Sequence, residues 1–226
     1  MNQPAKLFGE LRINRLTTAE QVASVLRERM IDGSLKPGFQ LREVPIAESI
    51  GVSRNTVREA FRLLSAEGLV RHSLHRGITV AKLTREGLID IFEARRTLEL
   101  SALPRVRVEH FQPIEKAIAD LDAAIRADDS KRVVESDFAF HVALVQATES
   151  ERLSDFFASL LTELRLALAI ADRKREQDRA FAEEHVAIFT ALRESNVGIA
   201  TKLLNAHLDT SQAITLTIIG EQDDSK

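Results

Sequence analysis

The chain has 226 residues, of which 44% are hydrophobic and 29% charged, and this composition suits two modest globular domains that each have a core. Cysteine is absent, which excludes disulfides and thiolate metal sites. No stretch is long and apolar enough to span a bilayer, and no signal peptide opens the chain. We therefore expect a cytoplasmic protein without a membrane partner.

Charge divides the chain unevenly. Residues 1–83 hold 13 Lys and Arg against 8 Asp and Glu, a balance of +5, whereas the remainder holds 18 against 26, a balance of -8. Contact with nucleic acid is therefore expected in the first part. The elements described below divide the chain into a flexible arm (1–14), a first domain (15–83) and a second domain (84–226).

The first domain opens with two predicted helices. Thr17 and Glu20 form a T-x-x-E capping box at the start of the first helix, which stops near Gly33. A second, short helix is predicted at about 43–50, and Gly51 then begins a tight turn into a third. Two helices joined by a turn that contains glycine fit helix-turn-helix spacing.

The third helix begins at its N-cap, Ser53, and separates an apolar face from a basic edge. Arg54, Arg58 and Arg62 lie four apart on this edge, and neither Arg54 nor Arg58 has an acidic residue three or four positions away. These arginines are therefore expected to bind an external anion, with the first turn directed at base edges in the major groove of DNA. The alternative is an ordinary surface helix with a solvated basic edge. The inward face is formed by Val57, Ala60, Phe61 and Leu64.

Two short β-compatible runs follow, at 69–72 and 78–81, around a loop in which Gly77 can supply the positive φ of a hairpin. The hairpin would make the first domain a winged helix-turn-helix, with Arg76 near the wing tip. The residues predicted to contact DNA are Ser53, Arg54, Asn55, Thr56, Arg58, Arg62, His75, Arg76 and Gly77.

Residues 16–83 resemble the winged-helix domain of the GntR family of bacterial transcription regulators, in LRERMIDGSLKPGFQL, IAESIGVSRNTVREAFRLLSAEGLV and HRGITV. The resemblance implies that Arg54, Arg58 and the wing meet a double-stranded DNA operator. Many members have Thr-Pro in place of Asn55-Thr56, and the family's fatty-acid regulator has a DNA-contacting arginine in place of Val44. The operator sequence therefore does not carry over.

The second domain is predicted to be an all-α bundle, which makes the whole protein mostly α. The boundaries between its helices are marked by prolines, by an Asp pair and by an Asn-Val-Gly segment. The six predicted helices are about 84–104, 113–127, 130–148, 150–172, 176–194 and 197–219.

Four polar residues lie on the apolar stripes of these helices. Asp137 and His141 are four apart on one stripe, and His185 and His207 lie on two later helices. A single such histidine is more often a hydrogen-bonded core residue than a ligand. Burying all four unpaired would be costly, whereas one divalent metal satisfies them together, so these four are the predicted ligands. Such ligands suit several transition metals, and Zn or Ni is our first expectation.

Two arginines are candidates for binding an effector. Arg95 lies on an apolar stripe and can pair with an anionic effector, although an i, i+4 salt bridge to Glu99 is an equal alternative. Arg165, among leucines, is the second candidate. A small organic acid could also fill open positions on the metal.

The segment DFAFH, with His185 and His207, resembles the metal-binding pattern of the FCD effector domain of the FadR subfamily. Arg95 to Glu99 also resembles the R-x-x-x-E motif of that domain. The resemblance implies a metal at the floor of a ligand cavity, and six helices rather than seven suggest the VanR-like branch. Glu149-Ser150-Glu151 departs from the Gly-Asn turn of many members.

We therefore expect a non-enzymatic, ligand-responsive regulator, most simply a repressor, that binds a two-fold operator as a homodimer. One alternative makes the metal purely structural or makes the metal itself the signal. A second makes the bundle a metallohydrolase with Glu183 or Glu184 as the base, but no H-E-x-x-H or nucleophile motif is present.

Overall fold

A computed structural model describes residues 16–73, 77–168 and 175–224; the predicted arm (1–14) and the wing residues His75 and Arg76 lie outside these ranges. The helices are α1 (Thr18–Ile31), α2 (Glu43–Ile50), α3 (Arg54–Ala66), α4 (Arg85–Ala102), α5 (Phe111–Ala127), α6 (Ser130–Gln146), α7 (Glu151–Leu168), α8 (Arg175–Arg193) and α9 (Val197–Asp224). The strands are β1 (Gln40–Leu41), β2 (Val70–Ser73) and β3 (Gly77–Val80).

The first three helices form the predicted helix-turn-helix, and local capping signals mark the start of α1, the end of α2 and the start of α3. The Thr17 hydroxyl accepts a hydrogen bond from the Glu20 backbone N–H, and the Glu20 carboxylate accepts one from the Thr17 backbone N–H, which completes the capping box of α1. Gly51 ends α2 at φ 69°, a left-handed conformation that glycine adopts without steric cost. Ser53 then caps α3 by accepting from the Thr56 backbone N–H.

The wing is a three-stranded antiparallel sheet in the order β1-β3-β2. Strands β2 and β3 form the predicted hairpin, with Val70 opposite Val80 and Ser73 opposite Gly77. Strand β1 is not predicted from the sequence, because two residues are too short to show the alternation that marks a strand. The sheet and α1–α3 share one core, which includes Leu26, Met30, Leu41, Val57, Phe61, Leu64 and Val80.

The described part of the second half contains the six predicted helices, and the predicted mostly α fold with a winged helix and a helical bundle is confirmed. Helix α5 begins two residues before Pro113, because the first N–H groups of a helix lack intrahelical acceptors and a proline is tolerated there. Among the described residues, none of the helices has the length and apolarity that crossing a lipid bilayer requires. The core of the bundle includes Leu88, Phe92, Ile114, Phe138, Phe140, Phe157, Leu164, Ile188 and Leu204.

Helix α7 contributes to both cores. Leu164 packs in the bundle, whereas Leu166 packs in the core of the winged helix. Glu163 lies against Gly68, and its carboxylate is 3.6 Å from the guanidinium of Arg71 on β2. The winged helix and the bundle are therefore joined by side-chain packing as well as by the chain segment between β3 and α4.

Candidate metal centre and nucleic-acid interface

The basic edge of α3 faces solvent. Arg54, Asn55, Arg58 and Arg62 are all exposed, while the opposite face of the helix is buried in the core. Arg54 makes no hydrogen bond or ion pair with any described residue. Its guanidinium is therefore available to a phosphate or a base edge.

Arg58 and Arg62 differ from Arg54, because each is paired with a carboxylate of the protein. The Arg58 guanidinium donates from Nε and Nη2 to the two carboxylate oxygens of Glu43, at 3.0 and 2.8 Å. Folding of α2 against α3 brings Glu43 there from 15 positions away, which helix spacing could not reveal. The hydrogen bond from Arg58 holds the pKa of the Glu43 carboxyl below its usual value. Arg62 pairs with Glu59 at 3.0 Å.

The described part of the wing places Gly77 at the start of β3 with φ 70°. This left-handed conformation is the one that the sequence analysis expected of the glycine at the end of the loop. His75 and Arg76 lie outside the described residues, so their contact with DNA stays a prediction.

Three of the four predicted metal ligands meet in the centre of the bundle. The Nε2 atom of His207 on α9 lies 3.2 Å from Nε2 of His141 on α6 and 3.4 Å from Nε2 of His185 on α8. All three side chains are at most 2% exposed. One ligand atom from each lies within 4.8 Å of the others. We call these three residues the histidine cluster.

The Nδ1 atoms of two of these rings contact carboxylates. His141 Nδ1 lies 2.6 Å from Oε2 of Glu99 on α4, and His207 Nδ1 lies 2.7 Å from Oε2 of Glu184 on α8. When each Nδ1 donates its proton to the carboxylate, each Nε2 presents a lone pair. Such carboxylate partners orient the histidines of metal sites.

The arrangement fits a metal ion. With Nδ1 protonated in both rings, the Nε2 lone pairs of His141 and His207 face each other at 3.2 Å, and a cation between them would remove their repulsion. Two ligands about 2.1 Å from one metal, at octahedral or tetrahedral angles, lie about 3.0–3.4 Å apart. Burial, and then the charge of Arg95, lower the pKa of His141 well below its usual value, which keeps the ring in the neutral form that binds metals.

Asp137 lies beside the histidine cluster rather than within it. Its Oδ1 atom is 3.8 Å from His185 Nε2, and this oxygen is buried without a hydrogen-bond partner among the described residues. A buried oxygen of this kind is costly unless a cation or a donor satisfies it. Its assignment as a fourth ligand stays a prediction.

Arg95 extends the network away from the histidine cluster. Its Nε donates to Glu99 Oε1 at 3.0 Å, so the alternative of an i, i+4 ion pair is the one observed. Arg95 is 1% exposed, and its Nη2 has no hydrogen-bond partner within the described ranges. Burial raises the pKa of the Glu99 carboxyl, and the neighbouring Arg95 opposes this rise. Arg95, Glu99 and His141 thus form one buried polar chain.

Arg165 lies elsewhere. Its guanidinium carbon is 5.4 Å from the centre of the Phe138 ring, and it lines a groove on the outer face of α6 together with Glu135 and Gln146. The structure does not bring it to the histidine cluster.

Sequence reasoning missed the roles of Glu99 and Glu184 behind the imidazoles. The sequence suggests Glu99 only as a partner of Arg95, and Glu184 only as a hydrolytic base. Glu99 and His141 lie 42 positions apart, so no local pattern connects them. The available signal was the buried stripe of α4, on which Glu99 stands among apolar residues.

An exposed basic helix in a winged helix-turn-helix, joined to a bundle with a buried histidine cluster, defines a two-domain DNA-binding regulator. Residues 18–80 match the family model described as "Bacterial regulatory proteins, gntR family", and residues 90–210 match the FCD domain model. The chain belongs to the GntR family and carries an FCD domain. It is a DNA-binding transcriptional regulator.

Similar proteins agree with this assignment. The chain is 29% identical over 201 residues to the "Probable D-xylose utilization operon transcriptional repressor" of Paenarthrobacter nicotinovorans, covering 87% of this chain and 88% of the relative. It is 25% identical over 216 residues to the gluconate operon transcriptional repressor of Bacillus subtilis (strain 168), covering 91% and 88%. A crystal structure of a GntR regulator from Rhodococcus sp. RHA1 matches with a TM-score of 0.79 and 30% identity, covering 88% of this chain and 97% of that one.

Proposed function

We propose that this regulator is a repressor whose helical domain, residues 84–226, holds a divalent metal and a small carboxylate effector that weakens operator binding. The observation that carries the proposal is the convergence of three buried Nε2 atoms, two of them from rings whose Nδ1 atoms are held by carboxylates. Lone pairs directed at one point are the donor set of a metal centre.

The metal would be held by His141, His185 and His207, with Asp137 as the fourth ligand. Three imidazoles and a carboxylate favour Zn or Ni among the available divalent ions. When bound, the metal would supply positive charge and open positions for an anionic ligand. The protein would supply the orientation of the rings through Glu99 and a second positive group, Arg95.

Arg95 is the proposed recognition group for the effector carboxylate. Its Nε is committed to Glu99, whereas the buried Nη2 has no partner among the described residues. An unpaired guanidinium N–H in the interior is costly, and a carboxylate would satisfy it with a charge-assisted hydrogen bond. The names of two relatives refer to a D-xylose utilization operon and a gluconate operon, and since gluconate is a carboxylate, sugar acids are the first candidates.

The operator would be read by two copies of the winged helix. Arg54 and Asn55 in the first turn of α3 are the proposed base-reading residues, supported by Thr56, Arg58 and Arg62 and by the wing. One short helix and one wing make few contacts, so we infer a homodimer on two half-sites about one helical turn apart. This cytoplasmic protein would belong to the VanR-like branch of the FadR subfamily, with residues 1–14 as an arm.

The test is operator binding measured by fluorescence anisotropy with gluconate, D-xylose and other small organic acids. We expect an acid, but not a neutral sugar, to weaken binding about tenfold, within the usual range of coupling free energies. Arg95→Gln should abolish this response while the protein keeps its metal. If no small molecule changes operator affinity while chelation lowers the melting temperature, the metal is structural and the sensor role is wrong.

The hydrolase alternative gains nothing from the site geometry. The Glu184 carboxylate lies 2.7 Å from His207 Nδ1, where it orients a ligand rather than acting as a base on water. Ester or amide turnover by the wild type that is lost in His185→Ala would be needed to support this alternative.

A further inference from the structure

A groove of about 380 Å³ runs along the outer face of α6, between α5 and α7. Its lining includes Glu135, Ala139 and Gln146, which share one side of α6. Asp137 and His141 lie on the other side of the helix, because successive residues turn by about 100°. This groove, which we call the α5–α7 groove, is therefore distinct from the histidine cluster.

Arg165 on α7 lines the groove and is half-buried there. Its Nε is buried and has no hydrogen-bond partner, and no ion pair of its guanidinium occurs in the part of the chain that the structure describes. Burial lowers the pKa of Arg165, and the negative charge of Glu135 opposes this only in part, without an ion pair between the two side chains. The contact with the Phe138 ring offsets only part of this cost.

The charges around the groove limit what it can bind. Lys116 is paired with Asp120 on α5, whereas Arg165 forms no ion pair with a described carboxylate and is influenced only by the more distant charge of Glu135. Asp120 and Glu135 would repel a dianion such as phosphate, whereas a single carboxylate can pair with Arg165. The apolar lining of Ala139 and its neighbours suits a short apolar body.

We propose that the α5–α7 groove binds a small organic monocarboxylate, with the carboxylate on Arg165 and the apolar part over Ala139 and Val142. The site is independent of the proposed effector site at Arg95. It lies beside the joint between the two halves of the chain, because Leu166, the next residue, packs in the core of the winged helix.

The test is two-dimensional ¹H–¹⁵N NMR of the full-length protein, titrated with butyrate and with its neutral analogue butyramide up to about 10 mM, the range in which a site with one charged contact binds. Butyrate should shift amide signals of residues 113–120 and 139–146, and butyramide should not. Arg165→Gln should weaken binding about tenfold, the effect of losing one charge-assisted hydrogen bond. Arg165→Lys keeps the charge and should bind more tightly than Arg165→Gln.

A control variant and the position of the shifts separate this site from the proposed effector site. Arg152→Gln removes an exposed arginine from the same helix and should bind butyrate in the groove as the wild type does, with shifts at residues 113–120. Equal binding by Arg165→Gln, equal shifts with butyramide, shifts confined to residues around the histidine cluster, or no response at all would each overturn the proposal.

Discussion

The histidine cluster and the basic edge of α3 satisfy their polar groups in opposite ways. In the cluster, His141 and His207 are buried. The Nδ1 atom of each ring lies beside a carboxylate from another helix. On α3, Arg54 is exposed and makes no hydrogen bond or ion pair with the described residues. A buried site must be satisfied within the chain, whereas an exposed binding surface is completed by a molecule outside it. The interior therefore specifies its ligand class more narrowly than the surface does.

Chelation should have the largest effect, and it acts on the buried site. If the free metal concentration is about a thousandfold above the Kd of the site, removal of the metal should lower the melting temperature by roughly 10 °C. His207→Ala should melt at the lower temperature with or without chelator. His72→Ala, which removes an exposed histidine on β2, should respond to chelator as the wild type does. Differential scanning calorimetry measures all of these shifts.

Leu166→Ala should have the next largest effect, because it removes a buried side chain that ties α7 to the winged helix. We expect a loss of about 2–4 kcal/mol in the free energy of unfolding. Phe156→Ala, on the exposed face of the same helix, should change it by less than about 0.5 kcal/mol. Urea unfolding measures both, and a loss in Leu166→Ala no larger than in Phe156→Ala would show that the joint contributes little.

Arg54→Gln tests the exposed surface. Losing a base or phosphate contact should weaken binding by about 1–3 kcal/mol to a DNA site selected with the wild-type protein, without changing thermal stability. Arg152→Gln serves as the control, since it removes an exposed arginine of the bundle. Fluorescence anisotropy at fixed salt gives both affinities, and unchanged binding by Arg54→Gln would remove α3 from the interface.

Glu43→Gln should have the smallest effect and sharpens the contrast within α3. It frees Arg58 from its carboxylate and removes a negative charge from the DNA-facing side, so we expect operator affinity to rise a few-fold. Stability should fall by less than about 1 kcal/mol, because the pair is largely exposed. Glu48→Gln, on the same helix without an ion pair in the described structure, should change neither. Weaker binding by Glu43→Gln would mean that the ion pair positions Arg58 for DNA.

Local signals predicted much of the fold, and non-local contacts account for what was missed. The Thr17–Glu20 capping box, Gly51 and Ser53 act within three or four residues, so helix ends could be placed from the sequence. Strand β1 was missed because its two residues gain strand character only by pairing with β3. The packing of Leu166 against the winged helix was missed for a similar reason. A leucine on a helical stripe does not reveal in which core it packs.

The candidate sites divide in the same way. Burial on helical stripes was enough to select His141, His185 and His207, because polar residues on apolar stripes need partners. The partners themselves, Glu99 and Glu184, come from residues 42 and 23 positions away and depend on how the helices pack. Helix spacing could not predict the ion pair between Arg58 and Glu43. It could not predict that Arg165 lies away from the histidine cluster either.

The most direct test of the account is metal analysis of the purified full-length protein by inductively coupled plasma mass spectrometry. We predict about one Zn or Ni per chain, lost in His185→Ala and His207→Ala and retained in His72→Ala. A folded wild-type protein that takes up no divalent metal, even when reconstituted with excess Zn or Ni, would contradict the assignment of the histidine cluster as a metal centre.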